Sequence, residues 1–205
     1  MNAKQDLLQQ KLTKVIMGRG YDSAPSIGEA AKKARELIAE GADPSLRSVE
    51  INPGSSQGKK TNLIILAACH GATAILRALL EAPAAQFNIV DDDGDNALIA
   101  SLNRGHQQCA QLLLRKTNLA TVNKQGASAL TASLECEDIN IFFEIASMID
   151  PDQLPLEMLR VEQCRQRHSE TLIDQALQFL SDRIVREIGT ACAPNQCSKA
   201  PAPRL

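Results

Sequence analysis

The sequence predicts an all-α fold: a helical solenoid of three to four stacked units with a helical cap at each end. Three observations carry that prediction. Segments starting at Asn62, Asn96 and Ser128 repeat one pattern at spacings of 34 and 32 residues, a period that marks stacked helical units. Each copy holds two short apolar stripes at helical spacing, so no unit can bury its faces alone and neighbours must stack. The composition agrees: 44% of the 205 residues are hydrophobic, yet there is one Tyr, four Phe and no Trp, while Ala and Leu supply 28 and 25. Small aliphatic side chains suit closely stacked short helices. Gly 11, Pro 9 and 22% charged residues exclude collagen-like and low-hydrophobicity chains, and no apolar run reaches the ~20 residues of a membrane span.

The first element is an N-terminal capping helix and loop over residues 1–25. KQDLLQQKLTKVI places Leu8, Leu12, Val15 and Ile16 on one helical face, which would cover the open end of a stack. The start MNAKQDLLQQKL has no continuous apolar segment of the secretory type, so a cytoplasmic location is expected.

The repeat array follows over 26–150. Residues 26–47 form a partial unit, with Leu37 and Ile38 leading into Gly41, Ala42, Asp43 and Pro44. Residues 48–61, rich in Gly, Ser and Lys, read as an insertion loop carrying Lys59 and Lys60. Three fuller units cover 62–91, 92–123 and 124–150. In each, Asn62, Asn96 or Ser128 is placed to cap a helix start by accepting a backbone N–H. An apolar half-helix comes next, then a breaker, Gly71 or Gly105, with Glu137 in the third copy. A second helix carries Ile75, Leu76, Leu79 and Leu80; Cys109, Ala110, Leu113 and Leu114; or Ile141, Phe142, Ile145 and Ala146.

Pro151 and Pro155 mark where the regular repeats stop. Residues 151–190 read as a C-terminal helical cap, in which Leu172, Ala176, Leu180, Ile184 and Ile188 step by four, with Ile173, Leu177 and Val185 beside them. Residues 191–205, ending APAPRL, read as a disordered tail holding Cys192 and Cys197. The other four cysteines lie in helix-like apolar patterns and read as small core hydrophobes.

The stretch VDDDGDNALIASLNRGHQQCAQLLL, through Asp91, Gly94, Leu98, Gly105, His106, Leu113 and Leu114, resembles the ankyrin repeat. The third copy keeps Gly126, Leu130 and Ile145, with Asn123 where the family often has Asp. ARELIAEGADPSL is similar to the end of such a unit. The family's Thr-Pro-Leu-His is nowhere intact, and its His is replaced by Ile65, Ile99 and Thr131.

Chemistry finds no constellation in the sequence. His70, His106 and His168 have no His or carboxylate at metal or acid–base spacing. The run Asp91–Asp95 lacks the twelfth-position Glu of a calcium loop, where Ala100 stands. Phosphate-loop, G-x-S-x-G and HExxH motifs are absent. No enzyme, cofactor or metal is therefore expected.

A net charge of −2 gives no cause to expect nucleic acid or a membrane surface. The ten basic against seven acidic residues of 1–60 include Lys4, Lys11, Lys14, Lys32 and Lys33, but no stacking aromatics accompany them. Residues 61–160 hold six basic against twelve acidic. The resemblance implies a monomeric protein–protein interaction module that binds through a concave surface of turn tips and inner-helix ends. On it the register places Asp92, Asp93, Asp95, Lys124, Gln125 and Ala127 at the tips. Cys69, His70, Asn103, Arg104, Glu135 and Cys136 fall at the inner-helix ends. The acidic tip suggests a partner with a basic patch. A second reading is a bacterial ankyrin-type effector delivered into host cytosol without a cleaved signal.

Overall fold

The computed structural model describes residues 3–18, 27–46, 49–51, 59–136 and 139–191. Tyr21, the 52–58 stretch, Glu137, Cys192, Cys197 and all of the expected tail beyond Ala191 lie outside the described residues. The chain divides into two compact units, at Ile149/Asp150.

The first unit is a double row of antiparallel helices. Its elements are α1 (Ala3–Ile16), α2 (Ile27–Ala39), α3 (Leu63–Cys69), α4 (Thr73–Leu80), α5 (Ala97–Leu102), α6 (Gln107–Leu113), α7 (Ala129–Ala132) and α8 (Asn140–Met148). Within pairs, α1 packs on α2, α3 on α4, α5 on α6 and α7 on α8. Between pairs, one row runs α1, α3, α5, α7 and the other α2, α4, α6. Helix α1 thus stands in the inner row and supplies the partner helix that the partial unit lacks in its own stretch of sequence.

Local chemistry explains the helix starts. Asn62 Oδ1 accepts the Ile65 N–H at 2.8 Å and Asn96 Oδ1 the Ile99 N–H at 2.9 Å. Ser128 and Thr131 form a capping box: Ser128 Oγ accepts the Thr131 N–H at 3.3 Å, and Thr131 Oγ1 accepts the Ser128 N–H at 2.9 Å. Thr131 therefore does polar work at the position where Ile65 and Ile99 are simply buried. Helix α7 is a single turn that tightens into a 3-10 turn over Ser133–Glu135.

Every residue from Leu63 to Ala68 is buried, as expected of a helix that is apolar all round. Leu66, Leu76, Leu98, Leu102, Leu130 and Phe142 continue that core, with Leu12 and Leu37 at its N-terminal end. Burying each such side chain is worth about 1.5–3 kcal/mol before the entropy of ordering it is counted.

The stretch expected as an insertion loop is partly ordered pairing. Strands β1 (Val49–Ile51) and β2 (Lys59–Thr61) form an antiparallel hairpin, with Glu50 opposite Lys60. Alternation of Val49 and Ile51 about Glu50 gives the period-2 pattern that supports it.

In the second unit, α9 (Leu154–Gln163) packs on α10 (Glu170–Ala191). Leu154, Val161, Ile173, Ala176 and Leu180 are fully buried. Arg165 ties the two helices, reaching Glu162 at 2.7 Å and Asp174 at 3.0 Å. The stripe expected along α10 is buried only in its first part; Val185 and Ile188 are exposed. No described helix is long and apolar enough to cross a membrane.

Candidate functional site

Of the turns that precede α3, α5 and α7, the second and third share a local design. In the second, Asp91 Oδ1 accepts the N–H groups of Asp93 and Asp95, both at 2.9 Å. In the third, Asn123 Oδ1 accepts those of Gln125 and Ala127 at 3.0 and 2.8 Å. An Asx residue five positions before the cap thus organises each tip by bonding its own backbone two and four residues on. Gly94 (φ +84°) and Gly126 (φ +82°) supply the left-handed residue between.

The tips are also tied to one another. Asp92 Oδ2 accepts the backbone N–H of Lys60 at 2.6 Å, joining the second tip to the β1–β2 hairpin. The Lys124 N–H donates to the Asp93 carbonyl at 2.9 Å, joining the second tip to the third. Asn123 Nδ2 donates to Asp95 Oδ1 at 2.7 Å across the same gap. A Cβ on Gly94 would lie 3.2 Å from Asn123 Cα, a measure of how closely the two backbones approach.

Exposure sorts the residues expected from the sequence. Asp92, Lys124 and Gln125 are exposed at the tips, and Asp93, Asp95 and Ala127 are half-buried. At the inner-helix ends His70, Asn103, Arg104 and Glu135 are exposed and Cys69 is half-buried. Two placements differ from expectation. Cys136 is buried, its Sγ 3.8 Å from the Leu102 carbonyl, because the tight turn after α7 folds it under the helix. The Asp95 carboxylate, expected to face outward, is instead held sideways by Asn123.

Burial also sets the protonation chemistry. It pushes the Cys69 thiol up to about 11, against the opposing pull of the Arg104 guanidinium and with a small added push from Asp91 and Asp95. Burial likewise raises the Asp91 carboxyl above its ordinary value, although the two N–H bonds it accepts from Asp95 and Asp93 work the other way. A thiol held protonated and carboxylates committed to backbone N–H groups are structural chemistry, not that of a nucleophile and its base.

Sequence reasoning missed two features. One is the pairing of Asn123 with Asp95, for which the available signal was a polar residue five positions before the cap in both copies. The other is a groove at the opposite, turn end of the helices, beside Ala72.

A family model for ankyrin repeats in three copies matches residues 28–123 and 64–153, which together cover more than half of the chain.

Proposed function

Because the chain belongs to the ankyrin-repeat family, a non-enzymatic fold whose members bind other proteins, we propose that its first unit docks one partner protein on the edge formed by the turn tips and inner-helix ends. The observation that carries this reading is the tie between successive tips: Asp92 to Lys60, Asp93 to Lys124 and Asp95 to Asn123. These bonds hold hairpin, second tip and third tip as one preordered edge, so that little conformational freedom is lost when a partner arrives.

Asp92, Lys124 and Gln125 are the tip contacts, and His70, Asn103, Arg104 and Glu135 the contacts above them. Asp92 is the acidic group presented to a basic patch on the partner, while Arg104 and Lys124 take carboxylates. With no Phe, Tyr or Trp among them, affinity rests on charge pairing and aliphatic contact, and recognition is specific more than tight. Asp93, half-buried, contributes at the margin; Asp95, Ala127, Cys69 and Cys136 shape the edge without forming its contacts.

The test is affinity capture followed by cross-linking mass spectrometry, run on the full chain and on Asp92→Asn, Arg104→Ala and Lys124→Ala. Asp92→Asn keeps an amide oxygen for the Lys60 N–H while removing the charge. A partner held here should cross-link to Lys60 and Lys124 and dissociate faster from each variant. Equal retention by all three folded variants would sink the reading.

A further inference from the structure

Two neighbouring intervals between helix pairs are filled differently. Between α4 and α6, His106 follows the left-handed Gly105 (φ +69°) and lays its imidazole over Gly71, with Nε2 3.0 Å from the Cys69 carbonyl. The ring fits so closely that a Cβ on Gly71 would lie 2.7 Å from its Nδ1. One repeat earlier the aligned residue is Ala72, and the glycine awaiting cover is Gly18, which ends α1 with φ +65°, as Gly71 (φ +65°) ends α3. Among the described residues, a Cβ on Gly18 would meet nothing within 4 Å. Where the second interval holds a ring, the first holds a methyl group.

The space left is a groove of about 740 Å³ between the end of α1, the start of α2 and the start of α4, within the size range of ligand sites. Val15, Ile16, Ala30, Ala31 and Ile75 make its floor apolar. Among its described lining residues the ionisable ones are Arg35 and Arg77, with no carboxylate. Arg35 stands 3.6 Å from Glu81; Arg77 is exposed and has no ion pair among the described residues. The groove lies at the turn end of the helices, away from the tips.

We propose that this groove is a second docking site, for a peptide segment of a partner protein that inserts one large aliphatic or aromatic side chain beside a carboxylate. The apolar floor takes the side chain in place of the missing imidazole; a ring buried there is the kind of anchor that dominates peptide affinity. The Arg77 guanidinium, at the rim, takes the carboxylate through two parallel N–H donors. A basic segment would be turned away by the two arginines, which gives the groove its selectivity.

The test is a titration of the 15N-labelled full chain with an acetylated, amidated pentapeptide having a central tryptophan flanked by glutamates, against the same peptide flanked by lysines. Saturable shifts are expected at Val15, Ile16, Ala31 and Ala72 to Arg77 with the acidic peptide. Binding of the lysine-flanked form should be at least about tenfold weaker, the cost of a 1.4 kcal/mol loss. Ala72→His, which rebuilds the filling seen over Gly71, should abolish binding, and exposed Arg77→Glu should weaken it about tenfold without disturbing the fold. Asp92→Asn should leave it intact, which separates this site from the tip edge. Absent shifts at the groove, equal binding of both peptides, or undiminished binding by Arg77→Glu would overturn the proposal.

Discussion

His106 Nε2 lies 3.0 Å from the Cys69 carbonyl, so the ring of one helix pair closes the end of the inner helix before it. A carbonyl can only accept, which fixes the proton on Nε2. At the end of α3 the carbonyls of Leu66, Ala67 and Ala68 accept the N–H groups of His70, Ala72 and Gly71, and the His106 bond satisfies the Cys69 carbonyl from the next repeat.

Gly71→Ala should therefore be costly for two reasons at once. The left-handed φ of +65° strains any residue with a Cβ by about 1–2 kcal/mol, and the new methyl would collide with the His106 ring at 2.7 Å. Gly18→Ala offers a control, having the same φ and no described residue within 4 Å of the new methyl. Thermal unfolding of the two variants should show Gly71→Ala the more damaging by about 1–3 kcal/mol. Combining it with His106→Ala should recover part of the difference; simple additivity would contradict the packing described.

The Asn123–Asp95 bond predicts coupling between two tips. Asn123→Ala removes an acceptor of two backbone N–H groups and a donor to Asp95. Its loss should cost about 2–3 kcal/mol, several net hydrogen bonds at about 1 kcal/mol each. A double-mutant cycle with Asp95→Ala should return a coupling of about 0.5–1.5 kcal/mol. A coupling near zero would mean the tips are independent, and the preordered edge would lose its support.

How far the fold could be read depended on which residues carry periodic information. Asn62, Asn96 and Ser128 each announce a helix start by type and spacing, and the apolar stripes behind them fix which faces are buried. Helix α1 was legible as a helix but not as an inner-row member, because the connection to α2 is far longer than those joining the other pairs. Pairing in Val49–Ile51 and Lys59–Thr61 was hidden by the Gly- and Ser-rich stretch between them. At the tips, exposure follows from the register for Asp92, Lys124 and Gln125. The fate of Asp95 does not, since it depends on a side chain 28 residues away in the next repeat. Cys136 was misplaced because the end of α7 tightens into a 3-10 turn, which rotates the following residue inward. The groove at Ala72 is visible in the sequence only by subtraction, once the structure shows what His106 fills.

Asp91 and Asn123 occupy equivalent places and accept the same pair of backbone bonds, one with a charge and the other without. Burial raises the Asp91 pKa above the ordinary 3.8. A carboxyl whose folded pKa lies above its unfolded value is favoured in its protonated form by the fold. Its stabilising contribution is complete below the unfolded pKa and is lost as pH rises through the folded one. Asp91→Asn should therefore match the wild type near pH 3 and gain over it as pH climbs through the weak-acid range, with a plateau by neutrality. Chemical denaturation at pH 3, 5 and 7 reads the trend directly; a gain independent of pH, or one that shrinks toward neutrality, would contradict the assignment.

The Cys69 thiol gives a reactivity prediction. With burial holding its pKa at about 11, Cys69 is less than about 1% thiolate at pH 8.5, where an ordinary cysteine is about half ionised. Iodoacetamide labelling followed by peptide mass spectrometry should find Cys69 slower than a free thiol by on the order of 100-fold, although the residue is only half-buried. The rate should rise about tenfold per pH unit from 8 to 10, because only the thiolate reacts and its fraction is far from saturation. Access limits give a different signature, a low rate with a weak pH dependence, and that is expected of Cys136 under its helix. Arg104→Ala removes a nearby charge that favours the thiolate, so it should slow Cys69 further. Acceleration in that variant would show that Arg104 acts by covering the sulfur and not by its charge.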